Sequence, residues 1–256
     1  ISNCIIFIKF TSNGHLWEGI GFAIAFDLCR QFSGDVVLTA RDTARGQAAV
    51  QQLQAQGLSP RFHQLDIDDL QRVRGLDVLV NNAGISFNIP DPTPFHVQAE
   101  VTRKTNFFGT RDVCTELLPL IKPHGESDEE PKPCWFWHDL PCLPLLSSTS
   151  PCYLSLLCYT DSLLCLHWPN TTYGVMKISI TVLSRIHARK LSEQRRGDKI
   201  LLNACCPGWV RTDMGGPKAT NSPEEGAETP VYLALLPSDA ERPHGEFILE
   251  KKVEQW

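Results

Sequence analysis

Basic charge is scarce in this chain: Lys and Arg number 24 against 29 Asp and Glu, a net charge of −5, and no stretch gathers the cations into a stripe. A surface built for a polyanion needs such a stripe, so no nucleic-acid partner is expected. Long apolar runs are missing too. A membrane span takes about 20 uninterrupted apolar residues, whereas the most apolar region, 143–168, contains Pro144, Pro151, Asp161 and many hydroxyls. No membrane partner is expected. The run Cys4–Phe10 is broken by Lys9 and is too short for the apolar core of a secretory signal. Metal-ligand pairs are absent as well: the ten cysteines include no C-x₂-C, and the histidines no H-x₃-H. Five of those cysteines (Cys134, Cys142, Cys152, Cys158 and Cys165) lie close to His138 and His167 but at unsuitable spacings. No metal site is expected.

The cysteines do not read as a disulfide framework either. Cys29, Cys114, Cys205 and Cys206 sit inside apolar helix or strand patterns, where thiols serve as small hydrophobes. A reducing, cytoplasmic setting follows.

The first half alternates strand and helix signals. Cys4–Phe10 is β-rich. Gly19–Phe32 has helical period, with Phe22, Ala25, Phe26 and Cys29 on one face. Val36–Ala40 is a buried strand, and Thr43–Gln56 a helix capped by Asp42 and stopped by Gly57. Arg61–Leu65 and Val78–Val80 are strands, and Glu100–Ile121 is a long helix. Later come a helix at Thr172–Leu191 with the core stripe Val175, Ile178, Val182 and Ile186, a strand at Lys199–Cys206, a helix at Pro223–Leu236 and a last strand at Phe247–Leu249. Alternation of this kind implies an α/β chain, a Rossmann-type doubly wound parallel sheet. A single domain over residues 1–256 is expected at this length.

Two places break the rhythm. Only ten residues separate Asp66 from Asp77, short for a parallel crossover. Residues 125–168 open acidic and proline-rich, then turn Leu/Cys/Pro/Ser-rich with neither helical nor strand period. That leaves the fifth strand in doubt.

Three short motifs carry chemistry. Gly19-Ile20-Gly21 follows a strand and opens a helix, which suits a turn wrapped around a pyrophosphate. Asn81-Asn82-Ala83-Gly84 directly follows a buried strand. Tyr173 and Lys177 stand at i and i+4 on one helix face. A phenol titrates near about 10, and an adjacent ammonium lowers that value toward the range of a useful general acid. The run Cys206-Pro207-Gly208-Trp209-Val210-Arg211-Thr212 then ends the next strand.

On these motifs the chain resembles the short-chain dehydrogenases/reductases, and within them the cytosolic NADPH-dependent carbonyl reductases. The resemblance covers roughly 19–125 and 172–256. It implies NADPH/NADP as cofactor and the reduction of quinones, aromatic ketones and other carbonyls by a monomeric enzyme. By the same resemblance Tyr173 is the proton donor, Lys177 holds phenol and ribose, and Asn106 organises a proton-relay water. Gly19, Ile20 and Gly21 border the pyrophosphate, while Arg41 and Arg45 lie beside the 2′-phosphate. Asp66 lies near the adenine and Asn82 near its ribose. Pro207, Gly208, Val210 and Thr212 line the nicotinamide, and Trp209 walls the substrate pocket. Phe87, Asn88 and Ile89 fall where such enzymes hold glutathione conjugates.

Departures from the pattern matter. Glu18 stands where these relatives place a Lys near the 2′-phosphate. The Ser that would orient the substrate carbonyl has three candidates, Ser147, Ser148 and Ser162, the last following a better strand at Tyr153–Tyr159. Two other readings therefore stay open: a nucleotide-binding protein without turnover, and a poorly folding chain with an aberrant middle segment.

Overall fold

The computed structural model describes residues 3–7, 19–40, 42–64, 76–87, 91–123, 134–137 and 172–255. Among these, the β-branched and apolar runs pair as parallel strands, and the amphipathic stretches between them cover both faces. Strands β1 (Asn3–Phe7), β2 (Asp35–Ala40), β3 (Arg61–Gln64), β4 (Val78–Asn81), β5 (Cys134–Trp137) and β6 (Leu201–Leu202) form one sheet in the order β3-β2-β1-β4-β5-β6. Every pairing in it is parallel. This is the doubly wound order whose direction reverses between β1 and β4, the place where such sheets bind ligands beyond the strands' carboxyl ends. β4 is buried at all four positions, as the centre of a two-faced sheet requires. Val78 and Val80 face one core and Leu79 the other.

The first core is covered by α1 (Ile20–Gln31), α2 (Thr43–Ala55) and the helix Pro223–Ala234. α1 buries Ile24, Ala25 and Leu28 completely, while Phe26 and Cys29 of the expected stripe are only partly buried. The stripe shifts because α1 meets a second helix as well as the sheet, so its buried face widens beyond one seam. Both ends of α2 are as the sequence implies. Asp42 accepts from the Arg45 amide, and Gly57 takes φ +80°. The Leu58 amide donates to the Leu53 carbonyl and the Gly57 amide to that of Gln54, which completes the C-terminal motif.

The second core is covered by a composite helix and a long one. The expected helix Glu100–Ile121 starts earlier and is not uniform. It runs as α3 (Phe95–Thr102), a π-helical stretch (Arg103–Gly109), α4 (Thr110–Leu117) and a 3₁₀ turn (Leu118–Leu120). Pro94 sets the start and Pro119 tightens the end. α5 (Thr172–Gln194) lies against it. Of the stripe expected on α5, Val175 is buried, but Ile178, Val182 and Ile186 are only partly so. Met176, Ile180, Leu183, Ala188 and Leu191 are buried instead. The helix faces two neighbours at once. The buried Ser179 and Ser184 hydroxyls donate to the carbonyls of Val175 and Thr181 at 2.8 and 2.7 Å, so they add no unsatisfied polar group.

The expected strand Lys199–Cys206 is assigned as two pieces, β6 and β7 (Ala204–Cys206), because its partner changes from β5 to β8 (Phe247–Leu249) at Asn203. Asn203 is fully buried: its Nδ2 donates to the Pro243 carbonyl and its Oδ1 accepts from the Glu246 amide. α6 (Pro223–Ala234) follows a capping box built by Ser222 and Glu225. A further strand, β9 (Lys252–Glu254), pairs antiparallel with β8 and went unexpected.

The fifth strand, in doubt from the sequence, is present in the sheet. Its place between β4 and β6 is taken by Cys134–Trp137, inside the stretch 125–168 that shows no strand period. Four residues are too few to display a period, yet Trp-Phe-Trp has high β-propensity. The alternative strand Tyr153–Tyr159, the three candidate serines and the connection between β3 and β4 lie outside the described residues. No described helix is long and apolar enough to cross a membrane.

Candidate functional site

The carboxyl ends of β1 and β4 and the start of α1 form one rim. Gly19 precedes α1 with φ −104°, and its carbonyl receives the amides of Phe22 and Ala23. Among the described residues nothing lies within 4 Å of where a Cβ on Gly19 would stand, and the first turn of α1 carries no acidic residue. The positive end of the helix thus meets no described carboxylate in its first turn, which suits an anion. Gly21 is buried and Ile20 partly so.

At the end of β4 the chain passes through Asn82 and Ala83 to the buried Gly84. The next residue is gripped from both sides: the Ile85 amide donates to Asn106 Oδ1 at 2.7 Å, and Asn106 Nδ2 donates to the Ile85 carbonyl at 2.8 Å. Asn106 is fully buried and sits inside the π-helical stretch, a distortion that recurs at functional sites. A Cβ added to Gly84 would lie 3.5 Å from Asn106 Oδ1 and 3.8 Å from Lys177 Nζ. Three elements thus converge on Gly84, with the Lys177 ammonium 5.4 Å from the centroid of the Tyr173 ring. The i, i+4 spacing on α5 brings that pair together, as read from the sequence.

The run after β7 is stapled shut. Gly208 takes φ +78°, and a Cβ there would strike Asn221 Nδ2 at 2.4 Å. The Asn221 amide donates to the Trp209 carbonyl and the Arg211 amide to that of Asn221, closing the loop at its neck. Within it, Trp209 is 45% exposed and its indole donates to the Gly215 carbonyl at 2.9 Å. Thr212 Oγ1 accepts from the Gly215 amide. Pro207 and Val210 are buried. Gly226 on α6 explains how this loop reaches the glycine turn: its missing Cβ would stand 2.6 Å from Val210 and 3.5 Å from Ile20. Sequence reasoning overlooked Asn221 and Gly226, since a lone Asn in a loop and a lone Gly in a helix give no local signal.

On the second strand's side, Asp42 Oδ1 accepts from the Arg45 amide at 3.0 Å, and its Oδ2 lies 3.6 Å from Arg45 Nε. Phe87 is partly buried beyond Gly84. Arg41, Asp66, Asn88, Ile89 and Glu18 lie outside the described residues. Among the described residues, no group of three His, Cys, Asp or Glu is placed to hold a metal.

Comparison with known proteins agrees with this architecture. The short chain dehydrogenase family matches residues 16–128. The chain is 65% identical over 263 residues to carbonyl reductase [NADPH] 1 of Homo sapiens, covering 93% of this chain and 95% of that protein. The chain belongs to the short-chain dehydrogenase family. The carbonyl reductase [NADPH] 1 of Bos taurus is 62% identical over 289 residues, covering 100% of this chain and 99% of its own length. Among solved structures, salutaridine reductase from Papaver somniferum superposes with a TM-score of 0.70 at 23% identity, over 96% of this chain and 99% of that one. That likeness shows the short-chain dehydrogenase fold.

Proposed function

We propose that this chain reduces carbonyl compounds, among them quinones, aromatic ketones and aldehydes, to alcohols, with Tyr173 donating the proton. The enzyme class, an NADPH-dependent oxidoreductase, follows from its family and from relatives named carbonyl reductase [NADPH]. The observation that carries the finer reading is the convergence of Lys177 and Asn106 on Gly84, with Tyr173 beside the ammonium.

The cofactor's groups are received along the rim. Gly19, Ile20 and Gly21 take the pyrophosphate at the start of α1. The resemblance to carbonyl reductases assigns Arg45 and Arg41 to the 2′-phosphate, and Asp66 and Asn82 to the adenosine. Pro207, Gly208, Val210 and Thr212 line the nicotinamide. When bound, NADPH supplies a hydride to the carbonyl carbon. Tyr173 gives its phenolic proton to the carbonyl oxygen, so the C=O bond becomes an alcohol and the phenol a phenolate. Lys177 stabilises that phenolate by charge. The side chain of Asn106 is committed to Ile85, so the water it organises for reprotonation is held by its main chain. Trp209, pinned by Gly215, walls the substrate side, and the resemblance assigns Phe87, Asn88 and Ile89 to conjugates of glutathione. The enzyme acts as a cytoplasmic monomer with one domain.

Tyr173→Phe tests the mechanism. It should abolish NADPH oxidation with menadione while leaving NADPH affinity within about twofold, because only the proton donor is removed. Unchanged turnover in that variant would remove Tyr173 from the mechanism.

A further inference from the structure

We infer that Asp42 is a residue that limits this chain's preference for NADPH over NADH. In many dinucleotide-binding sheets an acidic residue about 20 positions past the glycine turn binds the ribose 2′-hydroxyl and so selects the unphosphorylated cofactor. Asp42 stands at that distance from Gly21. Its carboxylate is occupied differently here. One oxygen caps α2 by accepting from the Arg45 amide at 3.0 Å, and the other lies 3.6 Å from Arg45 Nε. Asp42 therefore partly neutralises a guanidinium at the carboxyl end of β2.

The inference rests on the reading that Arg45 faces the 2′-phosphate. A phosphate there carries about −1.5 to −2 and meets the guanidinium and the carboxylate together. The carboxylate repels the phosphate and stays where it is while it caps α2. At a separation of about 6–8 Å through water, a full charge opposing such a phosphate changes affinity by about three- to tenfold. NADH has no charge at that position, so its binding does not feel the carboxylate in this way. Asp42 thus performs one structural task, the cap, and one electrostatic task, restraint of the cofactor preference. The two are separable, because Asn and Ser cap helices about as well as Asp.

The experiment is titration of NADPH and of NADH into the wild type, Asp42→Asn, Asp42→Ser and Arg45→Gln, at low and high salt, with thermal melting of each. Both Asp42 variants should bind NADPH about three- to tenfold more tightly, bind NADH as the wild type does, and lose most of the gain at high salt. Arg45→Gln should weaken NADPH and spare NADH. If Arg45→Gln weakens NADPH while both Asp42 variants leave it unchanged or weaken it, the inference about Asp42 fails alone. Equal tightening of both cofactors also overturns it. If Arg45→Gln spares NADPH, the reading of Arg45 fails and the inference falls with it. Should Asp42→Asn melt well below the wild type, Asp42→Ser decides.

Discussion

Gly46 shows how a single residue sets the approach of a helix to a strand. It lies in the first turn of α2 next to Arg45, and a Cβ there would come within 1.9 Å of the Phe62 ring on β3. The ring belongs to the sheet-facing packing under α2, so it cannot swing aside without disturbing that layer. Gly46→Ala should therefore cost about 1–3 kcal/mol by overpacking, even though Ala is the better helix former. Urea unfolding of Gly46→Ala, Phe62→Leu and the double variant measures it. The double variant should recover part of the loss, and additive effects would show that the two side chains do not meet. At this scale the sequence is most legible where partners are close along the chain. Tyr173 and Lys177 are one helical turn apart, and Asp42 with Arg45 likewise, so spacing alone pairs them. Asn106 with Ile85 and Gly226 with Val210 are joined only by tertiary packing, which no local pattern encodes.

Among the elements, the β8–β9 hairpin carries its strain openly. Its two-residue turn is Glu250-Lys251, with φ +48° and +63°. Such turns favour Asn-Gly, since both central residues lie in the left-handed region that side chains with a Cβ avoid. That absence of a turn signal is why β9 was not legible in the sequence, while β8, an apolar run, was. Replacing Glu250-Lys251 by Asn-Gly should stabilise the protein by about 1 kcal/mol. The lost ion pair from Lys251 to Glu228 subtracts little, because both partners are about half exposed. A rise in the urea midpoint with unchanged m-value is the expected result, and a fall would mean that the Lys251 tether to α6 outweighs the backbone strain. The helices illustrate the same limit from the other side. Their existence followed from period, but the buried faces of α1 and α5 were misplaced because each packs against two neighbours. β5 escaped notice for a different reason, being too short to show alternation.

Across the whole molecule, two cores on opposite sides of one sheet meet at the strand that runs from β6 through Asn203 to β7. The legible part of the fold was the order of alternating elements, which is enough to imply the parallel sheet. The partner exchange at Asn203 was not legible, because it depends on residues some forty positions away. Close to that junction lies His244. Its Nδ1 accepts from the Leu202 amide at 3.2 Å, so the ring proton sits on Nε2, facing the Ala188 carbonyl and Ser192 Oγ at 3.0 Å each. A second proton would have to enter Nδ1 against an N–H. Burial, chiefly, holds the His244 pKa below its ordinary value, with Arg242 adding to the effect, while the Ala188 bond and Glu246 oppose it. Burial lowers that of His187 too, with Lys190 assisting. A folded-state pKa below the unfolded one means that the unfolded chain binds more protons in this range. The contribution to stability is therefore complete above the unfolded value of 6.5 and is lost as pH falls from there through the folded values. Unfolding free energy measured by urea should thus be level from about pH 7 to 8 and should fall below about 6.5. His244→Asn retains an acceptor for the Leu202 amide but has no ionisable group, so it should flatten part of that decline. If the slope between pH 6.5 and 5 is the same in wild type and variant, then His244 is not what loosens this junction in acid.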